Sequence, residues 1–138
     1  MNKTGPNKTP SKERILIVED DPEVMKLYNA LLTRNGYEVI EANYALPALF
    51  RVIHSPPDLV LADLDMPIMN GFELIAQFKS HLETRDIPVV VVTGSVSEAS
   101  RAAAFKAGCA AYLTKPVDAK EFLAQVAELL PGRKRKQL

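Results

Sequence analysis

The chain reads as one doubly wound α/β domain: five strand–helix units around a single parallel sheet. Three observations predict it. Five short apolar runs of strand length recur along the 138 residues, separated by segments with helical apolar spacing. The strand-like runs are apolar in their interiors, which suits a sheet covered on both faces. Four of them stop on polar residues, at the edge where open α/β sheets build their sites.

The first strand spans 14–19, its run Ile15 to Val18 ending on Glu19-Asp20-Asp21. A helix over 22–35 opens with Pro22, whose missing N–H costs nothing in a first turn, and closes at Asn35-Gly36. Its apolar stripe is Val24, Leu27 and Leu31. A strand over 37–42 and a helix over 45–54 follow. The third strand, 58–63, delivers Asp63 directly into a loop marked by Leu64-Asp65-Met66-Pro67 and Gly71. The third helix, 71–80, opens after Asn70-Gly71. The fourth strand, 87–93, ends on Thr93-Gly94-Ser95, and the helix over 97–107 takes Ser95 or Ser97 as its cap. The fifth strand, 110–114, ends on Lys115-Pro116. The last helix, 118–130, has Asp118 as cap with Glu121 at the capping-box spacing, and a stripe of Phe122, Leu123, Val126, Leu129 and Leu130. No internal repeat is present. Five such units fit the flavodoxin-like strand order 2-1-3-4-5, which sets strands one and three side by side and brings Glu19 and Asp20 next to Asp63.

Composition narrows the function classes. Hydrophobic residues make up 47% of the chain, as in a globular domain. No apolar run approaches the ~20 residues of a membrane span, and the first fourteen residues hold no apolar signal stretch. We therefore expect no membrane association and a cytoplasmic setting. The single cysteine, Cys109, excludes an internal disulfide, fits a reducing compartment, and reads as a small packed residue. Net charge is zero but unevenly spread: residues 15–132 carry nine basic and sixteen acidic residues, net −7, while both ends are basic. An acidic body argues against direct nucleic-acid binding. The expected division is a flexible tail over 1–12, one domain over 13–131 and a basic tail over 132–138.

The polar strand ends form a chemical set. Crowded carboxylates raise one another's pKa and stay ionised when a cation is present. Hard oxygen ligands select Mg²⁺, Mn²⁺ or Ca²⁺. Lys115 adds a mobile positive charge for a carboxylate or phosphate, and Thr93 offers a hydroxyl donor to a phosphoryl oxygen. An aspartate can itself attack phosphorus and form an aspartyl phosphate. Blander readings exist for each group. Glu19-Asp20-Asp21 also suits a helix N-terminus through the macrodipole, Lys115 could be a solvated lysine, and Tyr112 a half-buried strand aromatic. His54 and His81 are expected to be exposed, without metal partners at useful spacing. Met66 and Met69 are expected to pack under the loop.

Four segments in order, ILIVEDD, DLVLADLDMPIMNG, PVVVVTG and YLTKP, resemble the receiver domain of two-component response regulators, in particular stand-alone, chemotaxis-regulator-like receivers, over about residues 13–130. The resemblance implies a phosphorylation-activated switch. Asp63 is the implied phosphoacceptor. Mg²⁺, with Mn²⁺ as substitute, is held by Asp20 and Asp63, by Glu19 through water, and by the backbone carbonyl of Asp65. Thr93 and Lys115 hold the phosphoryl group, and Pro116 follows a cis peptide bond. Tyr112 occupies the aromatic switch position and moves with Thr93, altering the surface of helix four, strand five and helix five. The implied donor is a sensor histidine kinase or histidine phosphotransfer protein. The implied output is a downstream protein target on that surface, with a homodimer on phosphorylation also allowed. Such a domain catalyses only its own phosphorylation and dephosphorylation and is not a turnover enzyme.

Two positions beside the site vary within the family, Asp65 and Ser95, and both bear on the lifetime of the phosphoryl group. Ala110 and Ala111 stand where many members carry polar residues. Two other functions compete. Asp63-Leu64-Asp65 resembles the DxD signature of haloacid-dehalogenase-like phosphatases, but the acids beyond Lys115 (Asp118, Glu121, Glu128) have helical spacing and the acidic pair precedes Asp63. A phosphate-independent receiver-like binding module would not need the intact acid, threonine and lysine set.

Overall fold

The computed structural model describes residues 12–66 and 69–130. Ten elements alternate without exception: β1 (Arg14–Val18), α1 (Pro22–Arg34), β2 (Glu38–Ala42), α2 (Ala45–His54), β3 (Leu59–Ala62), α3 (Gly71–Lys79), β4 (Val89–Thr93), α4 (Glu98–Ala107), β5 (Ala111–Thr114) and α5 (Ala119–Glu128). All strand pairs are parallel and the order is β2-β1-β3-β4-β5, as the sequence predicts. The expected tails, apart from Lys12, and Pro67 lie outside the described residues.

Alternate side chains of the strands feed two cores. Leu16, Val18, Val60, Ala62, Val89 and Val91 meet α2, α3 and α4. Ile15, Ile17, Leu59, Leu61, Val90 and Val92 meet α1 and α5. The three central strands are buried at every position from β1's second residue onward. The edge strand β2 departs from the all-apolar expectation: Glu38 and Glu41 are exposed, because its outer side has no neighbouring strand to cover it.

Helix α1 corrects the sequence reading. Its buried residues are Met25, Tyr28 and Leu32, one position on from the predicted Val24, Leu27 and Leu31. Val24 and Leu31 still flank the core, but Leu27 is 51% exposed. Both stripes are apolar at helical spacing, so periodicity alone does not choose between them. The Tyr28 ring stacking on Phe122 of α5, with centroids 5.1 Å apart, fixes the rotation. The α5 stripe behaves as predicted, with Phe122, Val126 and Leu130 buried and Leu123 and Leu129 beside them.

Four of the five helix starts are capped by side chains that satisfy otherwise orphaned N–H groups; α2, with Tyr44 at its N-cap, has no side-chain cap. Asp21 accepts from Glu23 and Val24, Ser97 from Ser100, and Asp118 from Glu121. Asn70 and Glu73 form a full capping box on α3. Ser95 serves as an acceptor one step earlier, from the Ser97 N–H at 3.4 Å. Helix α4 ends on Gly108 at φ +119°, a left-handed position that glycine tolerates without a Cβ clash.

Candidate functional site

The C-terminal ends of β1, β3, β4 and β5 converge on one edge of the sheet. Strand pairing sets Val18 beside Ala62, so the next residues, Glu19 and Asp63, leave adjacent strands together. Carboxylate oxygens of Glu19, Asp20 and Asp63 lie within 4.8 Å of one another. Glu19 and Asp63 are buried, whereas Asp20 is exposed.

Lys115 reaches this cluster from the end of β5. Its Nζ donates to Glu19 Oε1 and to Asp63 Oδ2, both at 3.1 Å. The Lys115–Pro116 peptide that follows is cis. The other oxygens of the pair accept backbone N–H groups: Asp63 Oδ1 from Asp65 at 3.0 Å and Glu19 Oε2 from Asp21 at 3.1 Å. Burial pushes the Glu19 carboxyl above its usual range against the opposing pull of the Lys115 hydrogen bond. Burial alone would lower Lys115, but its hydrogen bonds to Glu19 and Asp63 outweigh that, and its pKa rises to about 12. One ammonium faces three carboxylates, so the cluster keeps excess negative charge. An all-oxygen donor set of that charge, one member of it open to solvent, fits a hard divalent cation.

Thr93 is fully buried at the end of β4. Its Oγ1 donates to Asp65 Oδ2 at 3.1 Å and accepts from the Ser95 N–H at 3.3 Å. Ser95 also ties the site to Tyr112, whose hydroxyl donates to the Ser95 carbonyl at 3.0 Å. Tyr112 is buried, 7% exposed, where a half-buried position is expected of a plain strand aromatic; its burial does not choose between that role and a switch. Over its ring lies the Arg101 guanidinium, 5.8 Å from the Tyr112 centroid and 5.1 Å from that of Phe105. A depression of about 390 Å³ opens beside this stack, lined among others by Val96, Arg101, Tyr112 and Glu121. The sequence reading missed Arg101. Its (i, i+4) spacing to Phe105 on α4 was the available signal.

The remaining candidates stay out of the site. His54 and His81 are exposed; the first bonds to the Phe50 carbonyl of its own helix and the second, just past α3, to the Gln77 carbonyl. Cys109 is buried, and burial raises its thiol pKa, which makes it a packing residue. Met66 is buried in the core beneath the loop and Met69 packs against it. Asp118 spends its side chain on capping α5, so it supplies no second acidic cluster of the phosphatase kind.

Sheet order, a carboxylate cluster at the switch between β1 and β3, and a lysine and hydroxyl beside it define the class: a doubly wound α/β domain with an acidic site at the carboxyl edge of its sheet. The family description "Response regulator receiver domain" matches residues 15–127, and the chain belongs to that family. It is thus a phosphorylation-activated signalling switch of two-component systems, and neither the phosphatase nor the phosphate-independent module is favoured.

Among curated relatives, the protein PilH of Pseudomonas aeruginosa is 36% identical over 119 residues, 86% of this chain and 98% of PilH. The polar-differentiation response regulator DivK of Brucella ovis is 34% identical over 116 residues, 84% of this chain and 94% of DivK. A CheY-like receiver domain protein from Methanospirillum hungatei is 32% identical with TM-score 0.81, covering 91% of this chain and 99% of its own. The receiver domain of the sensor histidine kinase PA1611 from Pseudomonas aeruginosa, 23% identical with TM-score 0.82, covers 88% of this chain and 99% of its own and shares the fold; its crystal structure has a magnesium ion coordinated in the active site cleft. Among the described residues no helix is long and apolar enough to cross a membrane.

Proposed function

We propose that Asp63 is the phosphoacceptor and that the cluster around it holds Mg²⁺. The observation that carries this is the Lys115 ammonium shared between buried Glu19 and Asp63 at one edge of the sheet, with Asp20 open to solvent beside them. Asp20, Asp63 and the Asp65 carbonyl would ligate the ion, Glu19 would hold one of its waters, and Mn²⁺ would substitute. The ion supplies charge neutralisation on the phosphoryl oxygens.

The chain's own groups account for the rest. Asp63 Oδ attacks phosphorus as the P–N bond of a donor phosphohistidine breaks, and the imidazole leaves with the electron pair. The Asp65 N–H already points at Asp63 Oδ1, which presents the carboxylate in a fixed orientation. Lys115 stabilises negative charge spread over the phosphoryl oxygens. The Thr93 hydroxyl exchanges its bond to Asp65 Oδ2 for one to the phosphoryl group. That exchange frees the Ser95 segment and, through it, the Tyr112 hydroxyl, and the α4–β5–α5 surface changes. Asp65 and Ser95 then border the phosphoryl group and set its lifetime. A sensor kinase or histidine phosphotransfer protein would be the donor, and the changed surface would serve a downstream protein or a second copy. A reducing, cytoplasmic setting suits the lone buried Cys109 thiol.

Intact mass after incubation with Mg²⁺ and acetyl phosphate tests the reading. Wild type should gain one phosphoryl group, Asp63→Asn none, and chelation should abolish the gain. Labelling that persists in Asp63→Asn would remove Asp63 from its role.

A further inference from the structure

Helix α2 presents an apolar stripe to solvent that neither the fold nor the phosphorylation chemistry uses. Eight large hydrophobic side chains are exposed among the described residues, and four of them, Tyr44, Leu46, Phe50 and Ile53, belong to α2 or its N-cap. Leu46, Phe50 and Ile53 stand at i, i+4 and i+7 and share one face, with Phe50 62% exposed. The opposite face, Ala45, Ala48 and Val52, is in the core. A helix apolar on both sides has a second surface to cover.

The charges on α2 itself are of one sign. Helix α2 carries Arg51 and His54 and no acidic residue. Arg51 has no carboxylate partner among the described residues. The His54 ring stacks on Phe50, centroids 4.0 Å apart, and holds it at the lip of an apolar groove of about 220 Å³. Arg14, Ile40, Phe50, Arg51, His54 and Ser55 line that groove, between α2 and the edge strand. Arg14 at the rim pairs with Glu38 at 3.8 Å and is held through its backbone N–H by Asp58, which leaves Arg51 as the rim arginine without a carboxylate, on a body whose net charge is −7.

We propose that this face docks an amphipathic helix of a partner protein. The partner's apolar residues would lie along Leu46, Phe50 and Ile53, one of them entering the groove, and its acidic flank would meet Arg51. Charge complementarity selects this occupant. The chain's own outlying segments are basic, with Lys3 and Lys8 in residues 1–11 and four lysines and arginines in 133–136, and would be repelled by Arg51. A second copy pairing helix to helix through α2 would set Arg51 and His54 against a helix that carries no carboxylate. An anionic membrane would gain only ~1 kcal/mol from each basic residue, and the face offers too few of them. The groove lies between the start of β1, Ile40 of β2 and the C-terminal end of α2, away from Asp63 at the end of β3, so docking and phosphoryl transfer are separable.

The test uses two synthetic amphipathic helices of about 18 residues with the same leucine stripe, one flanked by glutamates and one by lysines. Fluorescence anisotropy should show binding of the glutamate peptide, with amide shift changes confined to α2 and the β2 edge. Phe50→Ser should weaken it about tenfold or more, and Arg51→Glu should reverse the preference toward the lysine peptide. Both side chains are exposed, and retained phosphorylation of Asp63 in each variant shows that the fold and the switch are intact. The proposal is overturned by equal binding of the two peptides, by no binding at about 1 mM, or by shifts mapping elsewhere. A Phe50-dependent dimer in sedimentation, or Phe50-dependent binding to phosphatidylglycerol vesicles without peptide binding, would equally replace it with another occupant.

Discussion

Lys115 holds a single positive charge against two buried carboxylates, and its removal separates two functions of the site. Lys115→Ala leaves Glu19, Asp20 and Asp63 to a divalent cation but removes the group that follows the phosphoryl oxygen. We expect Mg²⁺ binding to persist in this variant and the conformational response to phosphorylation to disappear. Amide chemical shifts of α4 and β5 before and after acetyl phosphate provide the check; a normal response would make Lys115 a bystander. Asp20 offers the complementary experiment. It is exposed and its carboxylate belongs to the cluster, so Asp20→Ala should cost the apo fold little. In wild type, Mg²⁺ at about a hundred times its Kd should stabilise the fold by ~2.7 kcal/mol. Thermal denaturation with and without Mg²⁺ should show that gain in wild type and its loss in Asp20→Ala. These residues were readable from the sequence because each directly follows an apolar strand, and a parallel sheet gathers its strand ends at one edge. The Thr93–Asp65 hydrogen bond and the Arg101 stack were not, since side-chain torsions choose them among several reachable partners.

At the scale of elements, the loop after β3 is shaped by how closely α3 sits on it. The Gly71 N–H donates to the Leu64 carbonyl at 3.1 Å, and a Cβ on Gly71 would stand 2.6 Å from the Asp63 carbonyl oxygen and 2.8 Å from Leu64 Cα. Both obstacles are backbone, so Gly71→Ala must move the helix or the loop. We expect a loss of about 1–3 kcal/mol, typical of overpacking, and slower phosphorylation because Asp63 shifts with its own carbonyl. Gly94 is the control: no atom lies within 4 Å of its Cβ position, and Gly94→Ala should be near neutral in urea denaturation. Equal costs at the two positions would contradict the close approach. Element order, type and strand order were legible, because buried runs and capping residues act locally. The rotation of α1 was not: Val24–Leu27–Leu31 and Met25–Tyr28–Leu32 are both apolar stripes, and only the distant Phe122 ring decides between them.

At the scale of the whole molecule, Tyr28, Lys115 and Glu19 couple folding to pH in one direction, opposed by Lys79, whose pKa burial lowers. Burial raises the Tyr28 phenol from 10.0 to about 12, beneath α1 and against Phe122. Lys115 rises from 10.5 to about 12 through its carboxylate partners. Between these limits the folded chain holds protons that the unfolded chain has released, so the stability these two groups contribute is complete below about pH 10 and falls as pH rises toward 12. The Glu19 carboxyl, raised by burial, acts likewise at the other end: protonation favours the folded form as pH drops through its folded pKa, blunting acid unfolding. Urea midpoints measured from about pH 9 to about pH 12 should therefore decline. Tyr28→Phe, which keeps the ring against Phe122, should decline less steeply than wild type, and Lys115→Met should lose a separate part of the slope. If Tyr28→Phe follows the wild-type curve, the phenol is not shielded by α1, and the tilt of that helix onto α5 would have to be revised.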